Sequence, residues 1–200
     1  MDWLSDVGAD VTLDEDRHEY RFMGQIVPSV TQVLQPFVDF SGIPHDVLMA
    51  KRDLGQRVHL ACQLDDEDDL DESSVEADVE PYLDGWRRFK HESGAIVLLN
   101  EKLVCAPLML YAGKLDRVLM LNGHKWLIDL KTSISLPLAV GPQTAAYLRA
   151  LGDATVTHRG ALRLQADGRF KLDPLTDPDD WSVFMSLLTI KHFREKHARS

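Results

Sequence analysis

The chain has 200 residues, of which 44% are apolar and 27% are charged, a composition typical of a globular protein. A chain of this length can form one hydrophobic core, so we expect a single domain over residues 1–200. No stretch approaches the roughly 18 apolar residues of a membrane span, so no membrane partner is expected. Cys62 and Cys105 are too few for a disulfide framework or a four-cysteine metal site, which favours a reducing, cytoplasmic location.

The net charge of −10 comes from one segment. Residues 65–80 contain ten acids and no base, and the rest of the chain contains 22 acids and 22 bases. Such a run predicts a solvated, partly flexible insert that stays away from any phosphate backbone. The alternative is a segment that mimics DNA or binds a basic protein partner.

The spacing of apolar residues and turn signals predicts an α/β fold, with a mixed central β-sheet flanked by helices. Asn122-Gly123 is the strongest hairpin signal, and Ser29 is a candidate N-cap. In the closing helix, Phe184 and Phe193 are expected to pack inward. In chain order the predicted elements are an N-terminal hairpin turning at Met23-Gly24, a short helix after Ser29, helices over 46–64 and up to Gly94, strands over 95–105, 108–121 and 125–132, a helix over 141–151, a hairpin over 155–172 and a helix over 177–197.

Two aspartates lie at matched distances from the Asn122-Gly123 turn. Asp116 precedes Asn122 by six residues and Asp129 follows Gly123 by six, so a two-residue loop places them roughly opposite each other. Two carboxylates this close repel unless a cation or proton lies between them, and all-oxygen ligation suits Mg²⁺ or Mn²⁺. Lys131 shares the face of Asp129. A cross-strand salt bridge on a solvated sheet face explains the same spacing equally well.

These residues belong to a longer series of motifs that resembles a known family. Gly113-x-x-Asp116, Asp129-x-Lys131 and Gln143-x-x-x-Tyr147 follow in order, with Gly55-x-x-Val58-His59 and an H-x-Y…PSVT run upstream. The series resembles the PD-(D/E)XK nuclease superfamily, and within it the RecB-like branch of small phage-type and mitochondrial genome-maintenance-type exonucleases. Leu115 stands where the proline of the family name is expected. The resemblance implies a restriction-endonuclease-like core.

The resemblance also implies roles for individual residues. His59 is by itself more often a core histidine, and Tyr147 can equally be a core residue, so both alternatives stay open. Glu101 matches a frequent acid of the family, without a specified role. The implied roles are a Mg²⁺ or Mn²⁺ site formed by Asp116, Asp129, the backbone carbonyl of Leu130 and His59, a catalytic lysine at Lys131, and DNA-orienting residues at Gln143 and Tyr147.

The function implied by these roles is a metal-dependent DNA nuclease, in particular an exonuclease that hydrolyses single-stranded or free-ended DNA. Two other classes remain open. One is a catalytically inactive binding module with the same fold, since fold does not determine function. The other is an acidic interaction protein that engages a partner through residues 65–80.

Overall fold

A computed structural model describes residues 11–38, 42 and 44–198. The structure contains a three-stranded antiparallel sheet and a five-stranded sheet whose strand order follows the chain. The strands are β1 Val11–Asp14, β2 Glu19–Phe22 and β3 Gln25–Val27 in the first sheet, and β4 Ile96–Ala106, β5 Tyr111–Leu121, β6 His124–Lys131, β7 Val156–Leu164 and β8 Phe170–Pro174 in the second. The helices are α1 Val30–Val33, α2 His45–Asp66, α3 Glu80–Ser93, α4 Val140–Leu151 and α5 Asp180–Ala198, with short 3₁₀ turns at Gln35–Phe37 and Glu72–Ser74.

The five-stranded sheet is mixed and has helices on both faces. β6 and β7 run parallel, because α4 crosses over between them, and the other neighbours are antiparallel. Trp86 of α3 and Val58 of α2 share one core cluster with Leu130, whereas Tyr147 of α4 and Phe184 of α5 share another with Leu127. This arrangement confirms the predicted α/β fold with a mixed central sheet.

Local sequence signals explain several element boundaries. Asn122 and Gly123 have φ angles of 52° and 77°, the left-handed pair that a tight two-residue hairpin requires. Ser29 caps α1 as predicted: its Oγ accepts from the Gln32 backbone N–H at 3.0 Å, and its own N–H donates to the Gln32 side chain at 3.0 Å. Among the described residues, no helix combines the length and apolar character that crossing a bilayer demands.

The acidic segment differs from its expectation. Asp65 and Asp66 form the last turn of α2, and their side chains are only 12% and 1% exposed. Arg87 and Lys90 of α3 bind Asp65, and Arg57 of α2 binds both carboxylate oxygens of Asp78 at 2.7 and 2.8 Å. The expectation of a solvated segment is therefore wrong for Asp65 and Asp66, whereas Asp78 pairs with Arg57 at the surface, and the flexibility of the insert stays a prediction. The counter-charges of these aspartates lie outside the segment, where a count of charges along residues 65–80 does not find them.

One predicted core contact is absent at the end of α5. Phe184 and Leu188 are buried, but Phe193 is 65% exposed. Residues nine positions apart differ by about 900° around a helix, which places Phe193 on the opposite side from Phe184. The apolar residues of α5 therefore do not all belong to one buried stripe.

The glycine of the G-x-x-D motif makes room for an aromatic ring. A Cβ on Gly113 would lie 2.6 Å from Cε1 of the buried Tyr147 and 3.4 Å from Val30. We expect Gly113→Ala to lower the free energy of unfolding by about 1–3 kcal/mol, because the packed ring has no space to move into. Chemical denaturation measures this loss.

The matched control is Gly55→Ala in α2. There a Cβ meets Thr132 Oγ1 at an ordinary 3.7 Å, so stability should stay the same or rise by up to about 1 kcal/mol. A Gly113→Ala variant as stable as the wild type would contradict the described packing of Tyr147.

Candidate metal centre

The candidate site lies where β5 and β6 separate. Their pairing runs from the hairpin turn to Arg117 and Ile128, after which β6 pairs with β7 alone. Asp116 and Asp129 are the next residue on each strand, as the spacing from the turn predicts. Beyond the last pair, the Leu130 backbone N–H donates to Asp116 Oδ2 at 2.7 Å. A carboxylate thus takes the place of a backbone acceptor at the point of separation.

Three side chains from different elements converge beside this point. His59 of α2, Glu101 of β4 and Asp116 of β5 each offer a ligand atom, and these atoms lie within 4.8 Å of one another. His59 Nδ1 is 3.8 Å from Glu101 Oε1 and 3.8 Å from Asp116 Oδ2. His59 Nε2 is 3.2 Å from the Leu130 carbonyl oxygen. If Nε2–H donates to that carbonyl, Nδ1 is left unprotonated and faces the carboxylates.

Glu101 joins the cluster through an unusual backbone conformation. It lies between the cross-strand pairs Asn100↔Arg117 and Lys102↔Leu115, and it has a φ angle of 45° within a strand. A non-glycine residue pays a steric cost in this region, and such strain concentrates at functional sites. The sequence by itself assigns no role to Glu101. In the structure, the register counted back from the Ala106↔Tyr111 pair is regular as far as Asn100↔Arg117 and places Glu101 level with Asp116.

Asp129 and Lys131 form a second pair next to the cluster. Lys131 Nζ lies 2.5 Å from Asp129 Oδ2, and the Asp129 side chain is 1% exposed. Both Asp129 oxygens are buried, and neither has a well-directed hydrogen bond within the described part of the chain. Because Asp116 is also buried, a salt bridge on a solvated sheet face does not describe this arrangement.

Burial and mutual repulsion govern the ionisation of the carboxylates. Burial and the neighbouring charge of Asp116 raise the pKa of Asp129 to about 6, against the opposing effect of Lys131. Burial also tends to raise the pKa of Glu101, but contacts with His59, Arg117 and Lys114 lower it to about 2.

His59 responds to the same negative charges. Burial lowers its pKa, whereas Asp116 and Glu101 raise it, and the net direction is upward from the ordinary value of 6.5. The cluster therefore favours a positive charge in its midst. Carboxylate oxygens with one imidazole, beside the buried oxygens of Asp129, fit a divalent cation such as Mg²⁺ or Mn²⁺.

Gln143 and Tyr147 differ in what they can contact. Tyr147 is 4% exposed and belongs to the core beneath the carboxylates, where burial and the charges of Asp116 and Asp129 raise its pKa well above 10. Gln143 is half-buried, and its Nε2 lies 3.5 Å from the Tyr147 hydroxyl. As placed, Tyr147 fits the core alternative, and of the two residues Gln143 is the more accessible.

The raised pKa of Asp129 predicts that removing its charge becomes more favourable for stability as pH rises. In the metal-free protein, a carboxyl with a raised pKa costs stability as pH rises from its ordinary 3.8 through about 6. In chelator, the Tm of Asp129→Asn relative to wild type should therefore increase over this range. Between pH 4 and pH 7 we expect this Tm difference to rise by several degrees, because about 1 kcal/mol shifts the Tm by about 2–4 °C in a chain of this size.

Asp84→Asn, an exposed acid on α3, is the matched control and should show no such rise. Thermal melts at pH 4, 5, 6 and 7 measure both variants. A Tm difference for Asp129→Asn that falls with pH would show that Lys131 fully compensates the buried charge.

Comparison with known proteins gives one structural neighbour to report. No protein-family model matches the chain, and no curated protein matches it. A solved structure titled as an alkaline exonuclease (LHK-Exo) from Laribacter hongkongensis aligns over 86% of this chain and 93% of its own, with 13% sequence identity and a TM-score of 0.43. At this level of similarity, the function has to be argued from the site itself.

Proposed function

We propose that the protein is a metal-dependent nuclease that hydrolyses phosphodiester bonds in DNA. The observation that carries this proposal is the convergence of His59, Glu101 and Asp116 within 4.8 Å of one another, next to the buried Asp129–Lys131 pair. Carboxylates and an imidazole can hold a cation, and a lysine beside them can act on an anionic substrate. The order of the G-x-x-D and D-x-K motifs supports the same reaction.

The residues of the candidate site can be assigned to metal binding. Asp116, Glu101 and His59 would hold a Mg²⁺ or Mn²⁺ ion, with Asp129 and the Leu130 carbonyl as further oxygens at the same point of the sheet. When bound, such an ion neutralises charge on a phosphate and makes water a better nucleophile at neutral pH.

Lys131 supplies a positive charge that is already in position before a substrate binds. Its Nζ is held by Asp129 at 2.5 Å, and its side chain is 22% exposed, so it can reach a substrate in the site. A fixed ammonium group can orient the attacking water or stabilise the charge that develops on the phosphate. Asp129 thus serves twice, as an oxygen near the cation and as the group that orients Lys131.

The preference for single-stranded or free-ended DNA rests on the motif resemblance and on charge. Outside residues 65–80 the chain is neutral, and Arg57, Arg87 and Lys90 are engaged by acids of that segment. Because acids balance the bases over the rest of the chain, we expect a shallow dependence of binding on salt. The same ion pairs occupy part of the acidic segment, which leaves less of it for a basic protein partner.

The first test of the proposed function is Lys131→Ala. Cleavage of labelled DNA in Mg²⁺ or Mn²⁺ should fall by about 100-fold or more, because the variant loses the fixed ammonium group that stabilises charge on the phosphate, as with other electrostatic catalytic groups. Mn²⁺ binding should persist, because Lys131 is not a ligand.

Lys125→Ala is the control, on the same strand but at its other end, where the lysine binds Asp153. It should keep wild-type activity. Undiminished cleavage by Lys131→Ala would show that the activity comes from a contaminant or from another site.

The substrate form is tested with matched linear and circular single strands of the same sequence, alongside blunt and nicked duplexes. We expect loss of label from linear single strands in Mn²⁺, no loss in chelator, and survival of covalently closed circles. Rapid cutting of the circles would rule out an exonuclease and leave an endonuclease.

A further inference from the structure

Arg117 is a buried base that the proposed chemistry does not use. It follows Asp116 on β5, and its side chain is fully buried. Its Nε donates to Asp66 Oδ2 at 2.9 Å, and its Nη1 donates to Glu101 Oε1 at 2.8 Å. The same Nη1 lies 3.1 Å from the Asp116 backbone oxygen. One guanidinium group therefore joins the acidic segment to two residues of the candidate metal centre.

Asp66 is held on both sides. Its Oδ1 accepts from Trp86 Nε1 at 2.9 Å and from Lys90 Nζ at 2.7 Å, which leaves Oδ2 for Arg117. The Asp66 side chain is 1% exposed, so water does not compete for these bonds. A carboxylate bound in this way fixes the plane of the guanidinium group that faces it.

Glu101 needs such support. Its backbone has a φ angle of 45°, and its Oε1 lies 3.8 Å from His59 Nδ1 while Asp116, a like charge, faces the same nitrogen. Lys114 Nζ lies 3.3 Å from the other Glu101 oxygen, Oε2, but its side chain is 35% exposed, so the buried Arg117 is the better anchored of the two cations that oppose the repulsion from Asp116. Arg117 contacts Glu101 Oε1, the very oxygen that faces His59.

We propose that Asp66, acting through Arg117, is a positioning residue that holds the Glu101 carboxylate in place for a divalent cation shared with Asp116 and His59. The inference rests on the proposed function, and it gives part of the acidic segment a role in metal binding. Groups that orient metal ligands typically affect metal affinity by about 10–100-fold.

The test is Mn²⁺ binding to full-length Asp66→Asn, measured by titration calorimetry and by the shift in Tm on adding Mn²⁺. We expect an affinity about 10-fold or more below that of the wild type, with Glu101→Gln affected at least as strongly. Lys90→Gln is the matched control: it removes a bond to Oδ1 of the same Asp66 carboxylate but none to Arg117. Its Mn²⁺ affinity should stay within about 2-fold of wild type, well below the range expected for a group that orients a ligand.

If Asp66 had only a structural role, Asp66→Asn and Lys90→Gln would both lower the Tm, and Asp66→Asn would not bind Mn²⁺ more weakly than Lys90→Gln. If Asp66→Asn does not fold, Arg117→Lys is tested instead. This variant keeps the positive charge, but a single ammonium group cannot bind Asp66 and Glu101 as the two guanidinium nitrogens do. Its affinity for Mn²⁺ should fall by a similar factor.

Unchanged Mn²⁺ affinity in the folded variant tested would overturn the positioning role and leave the proposed function standing. A Glu101→Gln variant with wild-type affinity would overturn it too, by removing Glu101 from the ligand set. A wild-type protein that binds no Mn²⁺ would overturn both.

Discussion

The buried guanidinium group of Arg117 is the interaction on which the architecture around the site depends. It binds Asp66 at the end of α2 and Glu101 on β4, and it packs 5.6 Å from the ring of Trp86. Removing one partner of a buried ion pair leaves an uncompensated charge, which destabilises a protein far more than loss of a surface pair. The helical layer and the sheet are thus joined by charge as well as by apolar packing.

The site itself concentrates negative charge where water is largely excluded. Asp116, Asp129 and Glu101 lie at or next to the point where β5 and β6 separate, and the first two are buried. Like charges in a low-dielectric environment repel strongly, so the arrangement is costly in the absence of a cation. In the proposed function, a site that binds a cation has to carry this cost in its empty state.

Packing and chemistry meet at the G-x-x-D motif. Gly113 lets the Tyr147 ring approach β5, and Asp116, three residues on, bonds the Leu130 backbone N–H at the strand separation. The motif therefore requires glycine for a steric reason and aspartate for an electrostatic one. Interpreting the motif only as a set of ligands would miss the steric role of Gly113.

The sequence by itself determined the local part of this structure. The Asn122-Gly123 turn sets the hairpin register, and that register brings Asp116 and Asp129 to equivalent positions on neighbouring strands. Only the tertiary structure decided which distant groups join them. Glu101 joins the cluster with a positive φ angle within β4, and Asp66 is bound by Arg117, 51 residues away. Turn chemistry and helical periodicity act over a few residues and can be counted along the chain, whereas ion pairs between remote segments depend on how the elements pack.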